Sequence, residues 1–199
     1  MSAPPRHKSE YSRGRQERLG GHRRGGFTLV EMLTTVAMLI IILGLMVSLA
    51  RYVRRRSAED LTRRILINIH TAMGEYVAAT HEAPAIESFI EGKASDEATL
   101  RQTALVNNRQ LVQFFKSHKE LAAKAFRDLP LSIYDEGTVR DAWGTPIVFM
   151  PAMHRQIGMA PGQEWFFLSA GPDRQYLTRD DNQYSYEALG ASGSEKRSQ

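Results

Sequence analysis

Residues 27–50 read FTLVEMLTTVAMLIIILGLMVSLA, and this stretch decides how the chain is organised. Apart from one glycine, its residues that are not apolar are Thr28, Glu31, Thr34, Thr35 and Ser48. As a helix rising ~1.5 Å per residue the stretch extends roughly 36 Å, which is enough to cross a hydrocarbon core of ~30 Å. The sequence therefore predicts one membrane-spanning helix over residues 27–50.

Glu31 is the unusual residue of this stretch. A carboxylate within hydrocarbon costs on the order of 2–3 kcal/mol even on mild insertion scales, so it needs a partner and indicates a function. A plain signal anchor accounts for the length of the stretch but explains neither Glu31 nor the pair Gly25-Gly26. A secretory signal peptide cut after Ser48-Leu49-Ala50 is a second interpretation, although the apolar core exceeds the usual ~7–15 residues.

A third interpretation accounts for each of these features. Residues 26–32, Gly-Phe-Thr-Leu-Val-Glu-Met, follow a basic leader and open the apolar helix, and in this they resemble the type IV prepilin-like family. The resemblance implies that prepilin peptidase cuts between Gly26 and Phe27 and that the Phe27 amine is then methylated. It also implies that Glu31 neutralises the amine of a neighbouring subunit during assembly.

The charge of the chain lies mostly in its leader. The formal net charge is +4, but residues 1–26 carry seven basic and two acidic side chains, so the remainder is slightly acidic and we expect no nucleic-acid partner. The absence of cysteine excludes disulfides, cysteine-ligated zinc and thiol catalysis. Basic residues flank both ends of the span almost equally, so charge does not orient it. The family resemblance does, with the leader cytoplasmic and the rest periplasmic.

Beyond the membrane the helical pattern continues. Apolar residues recur at three- and four-residue spacing from Ala58 to Tyr76, which predicts one helix from Phe27 to about Thr80, with Pro84 closing the segment. Residues 85–105 lack a clear period of apolar residues, which predicts a loop with a short helix. A second amphipathic segment is expected from Leu111 to Leu129, before Pro130.

The last third of the chain has the pattern of strands. Residues 147–150 and 165–168 are short apolar runs joined by a loop containing glycine and proline, which predicts an antiparallel pair. Residues 184–186 are a candidate edge strand. The polar tail from Gly190 is expected to be disordered.

The C-terminal motifs extend the resemblance to the major pseudopilin of type II secretion systems. They comprise Asp-x-Trp-Gly-x-Pro, a strand, a loop, a strand ending in Ser-Ala-Gly-Pro-Asp, and an acidic cluster. The residues concerned are Asp141, Trp143, Gly144, Pro146, Ser169, Gly171, Asp173, Asp180 and Asp181.

This resemblance implies a calcium ion in the C-terminal loop, bound by carboxylates and backbone carbonyls. Asp173 and one of Asp180 or Asp181 are the residues that it assigns as ligands. The chain departs from the family because Arg174, Gln175 and Tyr176 replace the glycines that usually follow the first aspartate. A solvated acidic turn, with Asp141 capping a neighbour, is the open alternative.

No catalytic motif is recognisable, and His70 and His81 lie roughly 16 Å apart along one helix, too far to share a metal. We therefore predict a non-enzymatic α+β protein with a long transmembrane-plus-stalk helix and a small head that carries a short antiparallel sheet. The predicted segments are a cleaved leader (1–26), a transmembrane helix (27–50), a stalk (51–82), a head (83–189) and a tail (190–199).

The predicted function is a structural subunit of a type II secretion pseudopilus, held in the inner membrane by a single span with its head in the periplasm. The implied partners are prepilin peptidase, other pseudopilin subunits (copies of the chain and minor pseudopilins) and the inner-membrane assembly platform. A type IV pilin is the alternative within the same class. A membrane-anchored periplasmic binding module is the alternative from another class.

Overall fold

A computed structural model describes residues 27–90, 96–158 and 164–189. Within these ranges the named helices are α1 (Leu29–Thr80), α2 (Glu97–Ser117) and α3 (Lys119–Ala125), and residues 185–189 form a further short helical segment. The strands of the same ranges are β1 (Val148–Met150), β2 (Phe166–Ser169) and β3 (Gln183–Tyr184). The chain divides into two units, Met1–Met46 and Val47–Gln199. The long apolar N-terminal helix and the small antiparallel sheet confirm the predicted α+β layout.

The described part of the first unit is mostly apolar helix. Every side chain from Phe27 to Met46 is exposed, and the most apolar window of α1 has a mean hydropathy of 2.5 with none of its residues buried. Among the described residues, α1 is the one helix long and apolar enough to cross a membrane. This is compatible with the predicted single span.

The later part of α1 buries a stripe of side chains in the second unit. Its buried residues are Thr62, Ile65, Leu66, Ile69, Ala72 and Met73, the three- and four-residue spacing of an amphipathic helix. The helix ends at Thr80, and His81 follows in the left-handed region at φ 59°. The predicted end near Thr80 is confirmed.

Helix α2 begins earlier than the sequence pattern indicated. Asp96 caps it, with its Oδ1 accepting the Thr99 N–H at 2.7 Å, and this hydrogen bond lowers the pKa of the Asp96 carboxyl. The prediction of a loop with a short helix over residues 85–105 is therefore correct in kind, but residues 97–105 are the first turns of the longer helix α2. The single helix expected up to Leu129 is also divided, since α2 ends at Ser117 and α3 starts at Lys119.

The sheet has the strand order β1-β2-β3, and both pairs are antiparallel. Phe149 faces Phe167 across the first pair, and Leu168 faces Tyr184 across the second. The predicted strand pair is confirmed to within one residue at each end. The edge strand is confirmed only for Tyr184, because residues 185–189 are helical.

Both faces of the sheet are buried, which explains why its strands are continuous apolar runs. One face carries Phe149 and Phe167 and packs in a core with the buried stripe of α1, together with Phe115. The other face carries Val148, Met150, Phe166 and Leu168. It packs in a second core with Phe89, Leu100 and Tyr176.

Two consecutive asparagines of α2 close the free edge of the sheet. The Asn107 amide donates to the Phe149 carbonyl at 2.9 Å, and its Oδ1 accepts the Phe149 N–H at 2.8 Å. The Asn108 amide donates to the carbonyls of Val139 and Ile147, and its Oδ1 accepts the Val139 N–H at 3.0 Å. These side chains bond with backbone groups that a neighbouring strand would otherwise pair, so β1 is closed to strand addition.

Candidate functional sites: the N-terminal junction and the C-terminal loop

The N-terminal junction contains a helix cap immediately after Phe27. The Thr28 hydroxyl oxygen accepts the Glu31 N–H at 3.2 Å, while the Thr28 carbonyl accepts the Met32 N–H. Thr28 therefore acts as the N-cap, and Glu31 is the third residue of the helix. Gly26, the other half of the predicted cleavage site, lies outside the described residues.

Sequence reasoning missed that Glu31 occupies a capping position of this helix. Thr28-Leu29-Val30-Glu31 is a capping-box sequence, in which the glutamate side chain often bonds back to the N-cap N–H. Only the threonine half of the box is formed among the described residues. The backbone carbonyl of Glu31 accepts the hydroxyls of Thr34 and Thr35, and its exposed carboxylate is left for another partner.

In the second unit, the Asp-x-Trp-Gly-x-Pro motif forms a turn around a buried carboxylate. Asp141 Oδ1 accepts the N–H groups of Trp143 and Thr145 at 3.0 and 2.8 Å, and Gly144 adopts φ 86°. Ser169, at the end of β2, donates its hydroxyl to Asp141 Oδ2 at 2.7 Å. Burial raises the pKa of the Asp141 carboxyl, although these hydrogen bonds and the charge of Arg174 oppose the shift.

The predicted calcium ligands lie on the segment between β2 and β3. Asp173 accepts the Gln175 N–H at 2.9 Å, and Asp180 is exposed. Gly171, at φ 69°, lies so close to Asp181 that a Cβ atom there would be 1.9 Å from the Asp181 carbonyl oxygen. Within the described ranges, no three His, Asp or Glu side chains come close enough to hold a metal ion together.

Helix α2 supplies the groups that hold this segment. Glu97 accepts the N–H groups of Tyr176 and Leu177 at 2.8 and 3.4 Å. The Arg101 guanidinium donates to the Arg174 carbonyl at 2.9 Å, and the Asn182 amide donates to the Tyr176 carbonyl at the same distance. The loop is therefore tied to α2 and to the start of β3 by side-chain hydrogen bonds.

This donor set does not fit a calcium site. Calcium takes six to eight oxygens, typically from several carboxylates and carbonyls. Here the carbonyls of Arg174 and Tyr176 already accept hydrogen bonds, and the first comes from a guanidinium whose charge would repel a cation at that oxygen. The assignment of calcium to Asp173, Asp180 and Asp181 stays a prediction without support from these contacts.

A half-buried histidine is a further polar feature that the sequence did not indicate. His70 Nδ1 lies 2.9 Å from the Ser185 hydroxyl, and its ring packs on Trp165 with the centroids 4.4 Å apart. Burial lowers the His70 pKa to about 4. Ser185 is fully buried and accepts the Phe167 N–H, so this contact connects α1 to the sheet.

Comparison with known proteins found no family model, curated protein sequence or solved structure that matches this chain.

Proposed function

We propose that this chain is a prepilin-like subunit that polymerises through its apolar helix, in the manner of a type II secretion pseudopilus. The observation that carries the proposal is the position of Glu31, a carboxylate in the first turn of an apolar helix and four residues after Phe27. The Gly26-Phe27 pair before it is the predicted cleavage site, which would generate the amine that Glu31 neutralises.

The physical basis is mutual neutralisation of two costly charges. After cleavage at Gly26/Phe27, the new amine would stand just before the Thr28 cap, at the positive end of a helix dipole. That amine is disfavoured there, and an isolated carboxylate is disfavoured in lipid. A neighbouring subunit with an axial stagger would bring its Glu31 to this amine and offset both penalties.

The C-terminal unit supports the pseudopilin assignment through its motif order. The turn around Asp141 and the end of β2 are joined through Ser169, so two of the sequence motifs meet in space. The N-terminal features would serve a type IV pilin equally well, and that protein remains the alternative of the same class. A membrane-anchored periplasmic binding module would need no cleavage at Phe27.

The N-terminus of the membrane-extracted protein tests the proposal. Mass spectrometry after expression beside a prepilin peptidase is expected to find Phe27 at the N-terminus, with a methylated amine. The adjacent glycines offer a matched pair of variants, in which Gly26→Val blocks cleavage and Gly25→Val does not. An N-terminus at Met1 or Arg51 in the unaltered chain would refute the prepilin interpretation.

A further inference from the structure

Three arginines from separate parts of the second unit line one surface pocket. Arg101 comes from α2, Arg140 precedes the turn around Asp141, and Arg174 lies between β2 and β3. The pocket has a volume of about 350 Å³, and its remaining lining residues are Leu105, Gly144, Thr145 and Pro146. This arrangement lies beside the loop where the family resemblance places a cation.

Arg174 is the most informative of the three. It adopts φ 61°, in the left-handed region that glycine enters freely and longer side chains resist. Within the described residues its guanidinium has no hydrogen bond or salt bridge, and its charge opposes the rise in the pKa of the buried Asp141 carboxyl. A strained backbone that presents an unpaired charge to a pocket suggests a ligand for that charge.

The other two guanidiniums are only partly used. Arg101 donates one hydrogen bond to the Arg174 carbonyl and lies 4.0 Å from Glu97. Arg140 pairs with Asp135 at 3.3 Å, and both side chains of that pair are over a third accessible to water. A guanidinium has five N–H donors, so these contacts leave each of the two guanidiniums with donors for a ligand.

The groups that line the pocket indicate which class of anion it would bind. Guanidinium forks bind phosphates as well as carboxylates, but many phosphate sites also use free backbone N–H groups, and those of Trp143, Gly144 and Thr145 all bond to Asp141. What remains is a set of planar guanidinium forks beside the apolar side chains of Leu105 and Pro146. The Thr145 hydroxyl is buried and has no hydrogen-bond partner in the described part of the chain. Forks of this kind match carboxylates, and apolar walls suit the carbon atoms of a peptide.

We propose that Arg101, Arg140 and Arg174 form a binding site for the carboxylate side chains of an acidic peptide segment on a partner protein. The site lies wholly within the second unit and does not depend on processing at Phe27. Failure of the prepilin interpretation would therefore leave it intact, and the two proposals are tested separately.

Fluorescence anisotropy with a short fluorescein-labelled poly-glutamate peptide and the full chain in detergent tests the site. Binding is expected to weaken with salt and to fall about tenfold in Arg174→Gly, the loss of one charge-assisted contact. Because glycine suits the left-handed backbone, this variant should keep or raise the melting temperature. Arg140→Ala is expected to weaken binding similarly.

Arg109→Ala is the matched control, since Arg109 is exposed on the same helix as Arg101 and lies outside the pocket. Its affinity should stay within about twofold of the unaltered chain. Equal losses of affinity in Arg109→Ala and Arg174→Gly would mean that the peptide is held only by general charge attraction, and would overturn the proposal. Unchanged binding in Arg174→Gly, no binding by the unaltered chain, or inorganic phosphate competing as strongly as unlabelled poly-glutamate would also overturn it.

Discussion

The two halves of α1 have opposite surroundings although they belong to one helix. From Phe27 to Arg56 every side chain is exposed, and most of those up to Ala50 are apolar. From Thr62 to Met73 a single stripe is buried, and the charged residues of this part lie off it. The second half therefore packs in the core of its own chain. The first half is apolar on all sides up to Ala50, which suits contact with lipid or with the helices of other subunits.

Glu31 offers the strongest way to test this difference. Glu31→Val is expected to abolish filament assembly, because the Phe27 amine of the neighbouring subunit would lose its counter-charge. Membrane insertion should be unchanged or improved, since a charge leaves the hydrocarbon. Sedimentation of sheared filaments measures the first effect, and carbonate extraction of membranes measures the second.

Thr35→Val is the control for that variant, because it also replaces a polar residue by valine one turn further along the same helix. It should assemble normally. Wild-type levels of filaments from Glu31→Val would refute the assembly role of the carboxylate.

A pair of identical substitutions within α1 compares the two halves directly. Leu66 is fully buried and Leu39 is exposed, so Leu66→Ala should destabilise the second unit by about 2–5 kcal/mol. Leu39→Ala should change the free energy of unfolding of that unit by less than about 0.5 kcal/mol. Urea unfolding in detergent, followed by tryptophan fluorescence, measures both. A similar loss in both variants would mean that residue 39 also packs in the core.

The sequence predicted the elements that depend on residues close together in the chain. It missed the features that depend on contacts between residues far apart in the chain. The apolar run and the spacing from Ala58 to Tyr76 define α1, and the runs around Phe149 and Phe167 define the central strands. The start of α2 had a local indication, since Asp96 is a good N-cap, but residues 97–105 lack a strong apolar period. No spacing indicated that Asn107 and Asn108 would close the sheet edge, because their partners lie 31 to 42 residues away.

The candidate sites follow the same rule. The junction at Phe27 and Glu31 could be found from sequence because its residues are contiguous. The pocket of three arginines could not, because Arg101, Arg140 and Arg174 converge only through the packing of α2 against the sheet. The presence of Arg174 in place of the expected glycine is the one indication of this pocket that the sequence offers.

Asn108 tests how much the second unit depends on side-chain hydrogen bonds at the sheet edge. Asn108→Ala removes the partner of the Val139 N–H and of the Ile147 carbonyl, while the Val139 carbonyl keeps the Ile147 N–H, so a loss of about 2–3 kcal/mol is expected. Asn68→Ala, at an exposed position of α1, should have little effect. Chemical denaturation gives both values, and a loss below about 0.5 kcal/mol in Asn108→Ala would show that water replaces the amide.

His70 predicts a smaller effect, which depends on pH. Its pKa is about 4 in the folded chain and near 6.5 when unfolded, so the unfolded chain binds more protons between these values. Stability should therefore be full above about pH 6.5 and fall as the pH drops towards 4. Allowing for screening by water at this half-buried ring, the expected loss is about 1 kcal/mol.

His70→Asn should remove that pH dependence, while His81→Asn, at an exposed position with a left-handed backbone, should retain it. Melting temperatures recorded across the same pH range measure the difference. An identical slope in His70→Asn and the unaltered chain would assign the pH dependence to other groups.

The smallest expected effect is that of calcium on the second unit. Glu97, Arg101 and Asn182 already bond to the backbone that a metal would otherwise organise, so a chelator should leave the melting temperature of the full chain unchanged within about 1 °C. Glu97→Gln should lower it, because the Tyr176 and Leu177 N–H groups lose a charged acceptor. Glu120→Gln, in the first turn of α3, is the control. A clear fall on chelation that added calcium reverses would instead establish the metal assigned to Asp173, Asp180 and Asp181. It would also require the Arg101 guanidinium to move away from the Arg174 carbonyl.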